Sequence, residues 1–388
     1  MRLKVCVVTT WPPHRDGVAL YSAKLYKQIA KLVDVVVVAN ILNQKESSES
    51  SEEKYGVILR CWKRDPWFLK DIFLSVFKTR AHIVHLQHGW FLYGGFVSSI
   101  LFPVLLLFFR SSRKPCIVTM HTVIRRDAHI YSNFLVNFLA RMTVLLVSKW
   151  IVQFSDKVIV HNPLMKKILQ REYIVKEEKI TIIPHGVKSS KKIESCQKSS
   201  EINIMSLGFL RKGKGIEYLI KAFEEFLEKY PDAKLIIVGG SHAHDKTDHV
   251  ESFKYLLKPR IKKQILFTDF VDEKRLEQLI WRSNIIVLQS TESYYVEASG
   301  ALAAVADYGK PVVCSKVPKF QSELQSGKHY IAVTPSDSMA LAQTLILLME
   351  NKELRNRLGE NLREELKSRR WNAVAEEHIN LYRFLLKN

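Results

Sequence analysis

Short runs of β-branched and aliphatic residues alternate with helical stretches along this chain, and the series occurs twice. Lys4–Val8, Asp34–Ala39, Val57–Cys61, His82–Leu86, Cys116–Met120, Lys157–Val160 and Ile180–Ile183 make the first series. Ile204–Leu207, Lys234–Val238, Gln264–Thr268, Ile285–Leu288, Pro311–Cys314 and Ile331–Val333 make the second. Continuous apolar runs suit strands covered on both faces, hence parallel sheets with helices between the strands. Two such series predict an α/β protein of two doubly wound domains, with functional loops at the C-terminal strand ends. A length of 388 residues is long for one core and agrees with that division. The expected boundaries are 1–186 for the first domain, 187–203 for a Lys- and Ser-rich linker and 204–370 for the second domain. The segment 43–54, NQKESSESSEEK, has no apolar residue and is expected to be a disordered insertion.

The formal charge of +20 and pI near 9.6 favour an anionic partner: nucleic acid, an acidic membrane surface or phosphorylated substrates. No nucleic-acid motif or aromatic platform accompanies the charge, so nucleic acid ranks last. Pro66–Thr79 would form a helix bearing Trp67, Phe68, Ile72, Phe73, Val76 and Phe77, edged by Lys63, Arg64, Lys70, Lys78 and Arg80. Such a helix suits an anionic bilayer surface, although the same stripe could pack on the sheet. Trp90–Phe109 is 20 residues without a charge, long enough to span a membrane. Gly94, Gly95, Ser98, Ser99 and Pro103, with strand patterns on both sides, instead make it a buried or membrane-facing helix of the domain. A further very apolar helix is expected over Ile130–Phe154. The N-terminal apolar run is too short for a signal peptide, and five cysteines without CxxC spacing read as reduced thiols. A cytoplasmic protein, peripheral at the inner face of the cell membrane, is the expectation.

Two stretches of the second series point to anion chemistry. Gly208–Gly215, GFLRKGKG, is a glycine-rich strand-to-helix loop carrying Arg211, Lys212 and Lys214. A Walker A motif would need Ser or Thr where Gly215 stands, so that reading fails. Arg can hold a phosphate bidentately while Lys adds a point charge, which suits a departing diphosphate. Ser299 and Gly300 open a helix of small residues, whose free N–H groups and dipole favour an anion. An ordinary loop-to-helix turn is the alternative. Glu292 and Glu297, just before that helix, could bind sugar hydroxyls or cap it. His121 ends the strand of VTMHTV, where doubly wound domains place functional groups. No DxD pair occurs, and His242 and His244, like His85 and His88, have loose metal-ligand spacing without a carboxylate or Cys partner. No metal site is assigned.

The pieces PPHRDG, VTMHTV, SDKVIVHN, IIPHGV, GFLRKGKGIEYLIKAF, LIIVGG and SGALAAVADYGKPVV occur in an order and spacing that resembles a known family. The chain is similar, over nearly its whole length, to the family 4 (group 1) retaining glycosyltransferases of the GT-B fold, with the mannosyltransferase-like branch nearest. The resemblance implies two Rossmann-like domains facing across a cleft, a nucleotide-diphosphate sugar (GDP- or UDP-sugar) held mainly by the second and the acceptor by the first. No cofactor is implied. Arg211 and Lys214 match the family's cationic pair on the donor diphosphate, Gly17 its first-domain glycine, and His121 a histidine beside the donor sugar. Donor contacts are further implied at Gly208, Gly240, His242, Phe270, Val271, Glu292, Ser299 and Gly300. Trp371 and the helix over 371–388 match a segment that returns to the first domain. Glu297 matches the first of two family Glu residues; the second, the usual ribose partner, falls on Ala304. Arg211 sits two residues later than the Arg of many relatives. The expected function is metal-independent, retaining transfer of a mannose- or glucose-type hexose to a lipid-linked or membrane glycan. The alternative, motivated by Ala304, is a non-catalytic GT-B protein that binds a sugar nucleotide or a partner enzyme.

Overall fold

The computed structural model describes residues 2–42, 49–53, 56–190, 201–241, 249–291 and 294–387. It divides into two compact units. Unit 1 comprises Met1–Gly186, Tyr294–Ala298 and Trp371–Asn388; unit 2 comprises Val187–Ser293 and Ser299–Arg370.

The main sheet of unit 1 contains β1 (Lys4–Thr9), β2 (Asp34–Asn40), β3 (Glu49–Glu53), β4 (Gly56–Trp62), β5 (Ile83–His88) and β6 (Cys116–Met120). The short β7 (Thr122–Ile124) stands outside it, and β8 (Lys157–Val160) and β9 (Ile180–Ile182) complete it in the order β3-β4-β2-β1-β5-β6-β8-β9. All neighbours are parallel except β3, which runs antiparallel to β4. Between the strands lie α1 (Gly17–Ile29), α2 (Phe68–Thr79), α3 (Phe96–Ser111), α4 (Phe134–Phe154) and α5 (Pro163–Arg171). Local chemistry fixes their starts. Asp16 caps α1, its Oδ1 accepting from Ala19 N–H at 2.7 Å, while Asn162 and Pro163 begin α5 with a side-chain cap and a preset φ. Gly94 at φ 136° delays α3 to Phe96, so only part of the uncharged Trp90–Phe109 run is helical.

Alternation along β1 divides the core of unit 1. Cys6 and Val8 face one cluster with Phe68, Ile72, Phe102, Phe109, Val147 and Ile151; Val5 and Val7 face the other, with Tyr21, Leu25 and Ile29. Phe68, Ile72 and Val76 of α2 are fully buried, so sheet packing claims half of that helix's expected stripe. Truncating a buried ring such as Phe102 to Ala would cost about 3–5 kcal/mol.

Unit 2 holds β10 (Asn203–Leu207), β11 (Lys234–Val238), β12 (Ile265–Phe267) and β13 (Ile285–Leu288). Next in chain order, β14 (Tyr295–Glu297) belongs to unit 1, where it pairs antiparallel with β7. With β15 (Val312–Ser315) and β16 (Ile331–Val333), the unit 2 sheet is parallel throughout, ordered β12-β11-β10-β13-β15-β16. Its helices are α6 (Ile216–Leu227), α7 (His249–Lys254), α8 (Glu273–Arg282), α9 (Gly300–Val305), α10 (Pro318–Gln321), α11 (Ser338–Glu350) and α12 (Lys352–Leu366). The last helix, α13 (Trp371–Lys387), packs in unit 1 on the Val5–Val7 side of the sheet.

Two expectations change here. Part of the insertion expected to be disordered, Glu49–Glu53, is an edge strand, because a backbone ladder along β4 pairs the N–H and C=O groups on one side of it without requiring an apolar face. Residues 43–48 and 54–55 lie outside the described residues. The start of the expected linker is fastened to unit 2: Val187 N–H donates to Arg369 O at 2.7 Å, and Ser190 N–H to Asp307 Oδ2 at 2.6 Å. Residues 191–200 are outside the described residues.

Candidate active site

In unit 2 the anion-binding candidates lie at the C-terminal strand ends. After β10, Gly208 at φ 146° turns the chain, its N–H donating to Val238 O at 3.0 Å. Leu210 N–H then donates to Gly240 O at 2.9 Å, stitching the loop to the end of β11. Lys214 N–H donates to Arg211 O at 3.2 Å, so the two cations occupy one tight turn. Both are half-buried, whereas Lys212 is exposed. Gly215, at φ 67°, takes the left-handed conformation just before α6, a position that glycine fills without a Cβ penalty. The opposite wall is the chain leaving β13, where Thr291 N–H and Oγ1 both donate to Gly213 O, at 2.9 and 3.2 Å.

Close approach explains the next pair of glycines. A Cβ on Gly239 would lie 2.0 Å from Gly208 O, and one on Gly240 would lie 2.0 Å from Asp269 Oδ1 and 2.8 Å from Phe270 Cε2. Phe270 in turn meets Phe209 edge-on at 5.7 Å. Gly208, Gly240 and Phe270 are therefore packed against the start of the loop that carries Arg211 and Lys214. Val271 instead packs half-buried against the core that holds Leu207, Leu302 and Ala303. Ser299 caps α9, its Oγ accepting from Leu302 N–H at 3.2 Å, and Gly300 is exposed. His242 and Glu292 lie outside the described residues.

Of the unit 1 candidates, His121 sits in a cluster of imidazoles and Gly17 is not placed against it. Gly17 is the exposed first residue of α1. His121 directly follows β6; its Nε2 is 2.8 Å from Gln87 Oε1 and its Nδ1 is 3.2 Å from His161 Nε2. His161 Nδ1 reaches Ile183 O at 3.0 Å. The Tyr21 ring stands against His121, His161, His185 and Trp371, with centroids 4.8–5.4 Å apart. Deeper still, His85 is 2.7 Å from both the Tyr26 and Tyr382 hydroxyls and 2.8 Å from Thr119 Oγ1. Burial pushes His161 down to about 4 and His185 to about 3, and holds His121 well below the usual imidazole range. Neutral His121 at pH 7 offers hydrogen bonds rather than charge.

Glu297 was expected beside the helix start of the second domain. It lies instead in unit 1, because β14 pairs with β7 and sets Glu297 opposite Thr122, the residue after His121. The pairing is extended by Arg125 N–H donating to Tyr294 O at 3.0 Å. Glu297 and His121 thus share one corner of unit 1, while Ser299, two residues on, belongs to unit 2.

The model of the Glycosyltransferase Family 4 matches residues 15–191, and that of the Glycosyl transferases group 1 matches residues 188–365. The chain belongs to glycosyltransferase family 4, group 1. An uncharacterized glycosyltransferase of Methanocaldococcus jannaschii is 29% identical over 186 residues, 47% of this chain and 45% of that protein. The chain spans about half the length of the curated relatives it matches. Among solved structures, sucrose-phosphate synthase of Thermosynechococcus elongatus aligns over 100% of both chains with a TM-score of 0.80 at 19% identity. Anabaena HepE, solved in complex with UDP and glucose, covers 98% of this chain and 99% of its own, with a TM-score of 0.70 at 13% identity. These likenesses establish the GT-B fold.

Some residues of this family 4 site escaped the sequence reading. Gln289 is buried, its Oε1 accepting from Ser315 Oγ at 3.1 Å, and its Nε2 has no partner among the described residues. With Thr291 it builds the wall behind Gly213 and Gly215. The sequence signal was the polar QST directly after an apolar strand. His161 and His185 were visible only as parts of SDKVIVHN and IIPHGV; nothing local predicts that their rings converge on Tyr21.

Proposed function

We propose that this protein transfers a hexose of the mannose or glucose type from a nucleoside-diphosphate sugar, with retention at the anomeric carbon, to a lipid-linked or membrane glycan. The observation that carries the reading is the Arg211–Lys214 turn, clamped between Gly208, Gly240 and Thr291 at the start of α6. As the glycosidic bond to the diphosphate breaks, negative charge grows on the leaving oxygen. Two fixed cations and the N–H groups of a helix start stabilise that charge more than the ground state, which lowers the barrier. These groups do the work a metal would otherwise do. The UDP and glucose bound by HepE support a nucleoside-diphosphate donor. In unit 1, neutral His121 and the adjacent Glu297 would orient sugar hydroxyls. A membrane acceptor, met at the cytoplasmic face, is favoured by the basic charge and by the apolar helices of unit 1.

The test offers UDP- and GDP-hexoses with a membrane extract and determines the anomeric configuration of any product. Retained configuration, with Arg211→Ala and Lys214→Ala each lowering turnover about 100- to 1,000-fold, is the expected result. Unchanged turnover in both variants, or an inverted product, would overturn the reading. UDP or GDP binding with no product from any donor would leave a binding protein instead.

A further inference from the structure

The very apolar helix α4 is only half a core helix. Phe134 is 86% exposed and Leu135 63%, and Phe138, Leu139, Met142, Leu146 and Trp150 continue the exposed stripe along the helix. Only 33% of its most apolar stretch is buried. Beside it, α3 exposes Phe96, Val97, Leu107 and Phe108, and Trp67, just before α2, with Leu74 and Phe77 on it, adds to them. Exposed apolar side chains clustered in this way mark an interaction surface.

Charge selects the occupant. From Pro66 to Ser155 the chain has ten Lys and Arg residues against two acids, Asp71 and Asp127, and Asp127 is held by Arg125 at 2.8 Å. Lys70, Lys78, Arg80, Arg110, Arg113 and Arg126 are exposed, each on or next to α2 or α3 or in the segment before α4. An apolar face rimmed by cations fits a bilayer of anionic lipid.

We propose that α4 is the principal membrane-inserting element of this protein and lies flat in the interface of an anionic bilayer. The inference rests on the reading of a membrane acceptor and names the surface that reaches it. At 21 residues the helix is about 31 Å long, enough to cross. Its inner face forbids this: Val144, Val147, Ile151 and Val152 are buried in unit 1. Asn137 Oδ1 accepts from Ile130 and Tyr131 N–H at 2.7 and 3.1 Å. Crossing would strip that face from the core, whereas lying flat keeps it and buries the outer one. Orientation follows from topology. In a parallel sheet, helices begin at the C-terminal strand ends, so Trp67, Phe96 and Phe134 lie at the end of the sheet where His121 sits. A membrane lying along α4 therefore reaches from the far end of the sheet to the end that holds His121, where a lipid-linked acceptor would be met without being extracted.

The test is flotation of the full chain with vesicles of phosphatidylcholine, with and without phosphatidylglycerol. Wild-type protein should float with the anionic vesicles. The Phe134→Glu/Phe138→Glu double variant should lose at least about tenfold in vesicle partition, and Trp67→Glu, just before α2, should lose less. Both changes are at exposed positions, and an unchanged thermal midpoint confirms folding. A double variant that floats like wild type, or that loses less than Trp67→Glu, overturns the role of α4 and leaves the membrane reading standing. Wild-type protein that floats with neither vesicle removes both. A dimer by sedimentation that the double variant converts to monomer, without vesicle binding, would assign the face to a second copy and likewise overturn the proposal.

Discussion

The two units share an architecture but not a chemistry. Unit 1 gathers imidazole and phenol rings at its sheet: His88, His121 and His161 at or next to C-terminal strand ends, His85 within β5, and Tyr21 and Tyr26 packed on the sheet from α1. Unit 2 leaves the same positions to glycine and small polar groups, Gly208, Gly213, Gly215, Gly239, Gly240 and Thr291. Backbone N–H groups approach a diphosphate only where no side chain intervenes, whereas selection among sugar hydroxyls calls for side-chain donors and acceptors. The outer faces differ too. The exposed face of α12 is charged, while that of α4 is apolar.

Acid should separate the units most sharply. Burial pushes His88 and His185 down to about 3 and His161 and His378 to about 4, with His85 and His121 also lowered. Between those values and the unfolded pKa near 6.5, the unfolded chain binds more protons than the folded one. Stability from these groups is complete above pH 6.5 and is lost as pH falls toward 4, by up to about 1.4 kcal/mol per pH unit for each ring. In unit 2, Glu224 is held below the usual carboxylate range by hydrogen bonds from Lys258 and Arg260, so its contribution disappears only at lower pH. Amide exchange followed from pH 7 to 4 should show β5 and β6 losing protection before β10 and β13. Simultaneous loss in both sheets, or earlier loss in unit 2, would break the contrast.

Much of this division was legible beforehand, and the reasons are local. Parallel strands buried on both faces read directly as Val- and Ile-rich runs, and the glycine-rich turn with its two cations is contiguous in Gly208–Gly215. The imidazole cluster is not contiguous. His85, His121, His161, His185 and His378 come from segments up to 293 residues apart, and only the fold brings their rings together. Nothing in the sequence assigns Glu297 to unit 1, because three residues of antiparallel pairing to β7 leave no periodic trace. For α4, apolar composition alone cannot distinguish a helix buried on every side from one buried on one side. Exposure of Phe134 and Leu135 required the structure.

A second contrast concerns why each unit needs its glycines. A Cβ on Gly186 would sit 2.3 Å from two carbons of the Trp371 ring, which is itself wedged against Tyr21 and His185. Gly215 has more room, its nearest contact being Gln289 Cβ at 3.2 Å, but its backbone is left-handed. Gly186→Ala should therefore cost about 1–3 kcal/mol through overpacking, and trimming the ring with Trp371→Leu in the same chain should recover part of that loss. Gly215→Ala should cost about 1–2 kcal/mol through its φ, with no recovery from Gln289→Gly, which removes that Cβ. Urea midpoints for the four variants decide it; recovery in both pairs or in neither would remove the distinction.

The smallest effect concerns α9, and it separates a structural role from an anion-binding one. Ser299 Oγ caps six residues of helix through Leu302 N–H, a bond worth about 1 kcal/mol. If capping is its whole contribution, Ser299→Ala should lower stability by that amount, Ser299→Asp should restore it, and nucleotide binding should follow stability in both. If the hydroxyl also faces a donor phosphate, Asp restores the cap while adding a like charge to the ligand, so UDP affinity falls further in Ser299→Asp than in Ser299→Ala. Calorimetric titration of UDP beside a urea midpoint resolves the two, and the second pattern is the expected one. Equal affinity in both variants would reduce Ser299 to a cap and leave the charge of the diphosphate to Arg211 and Lys214.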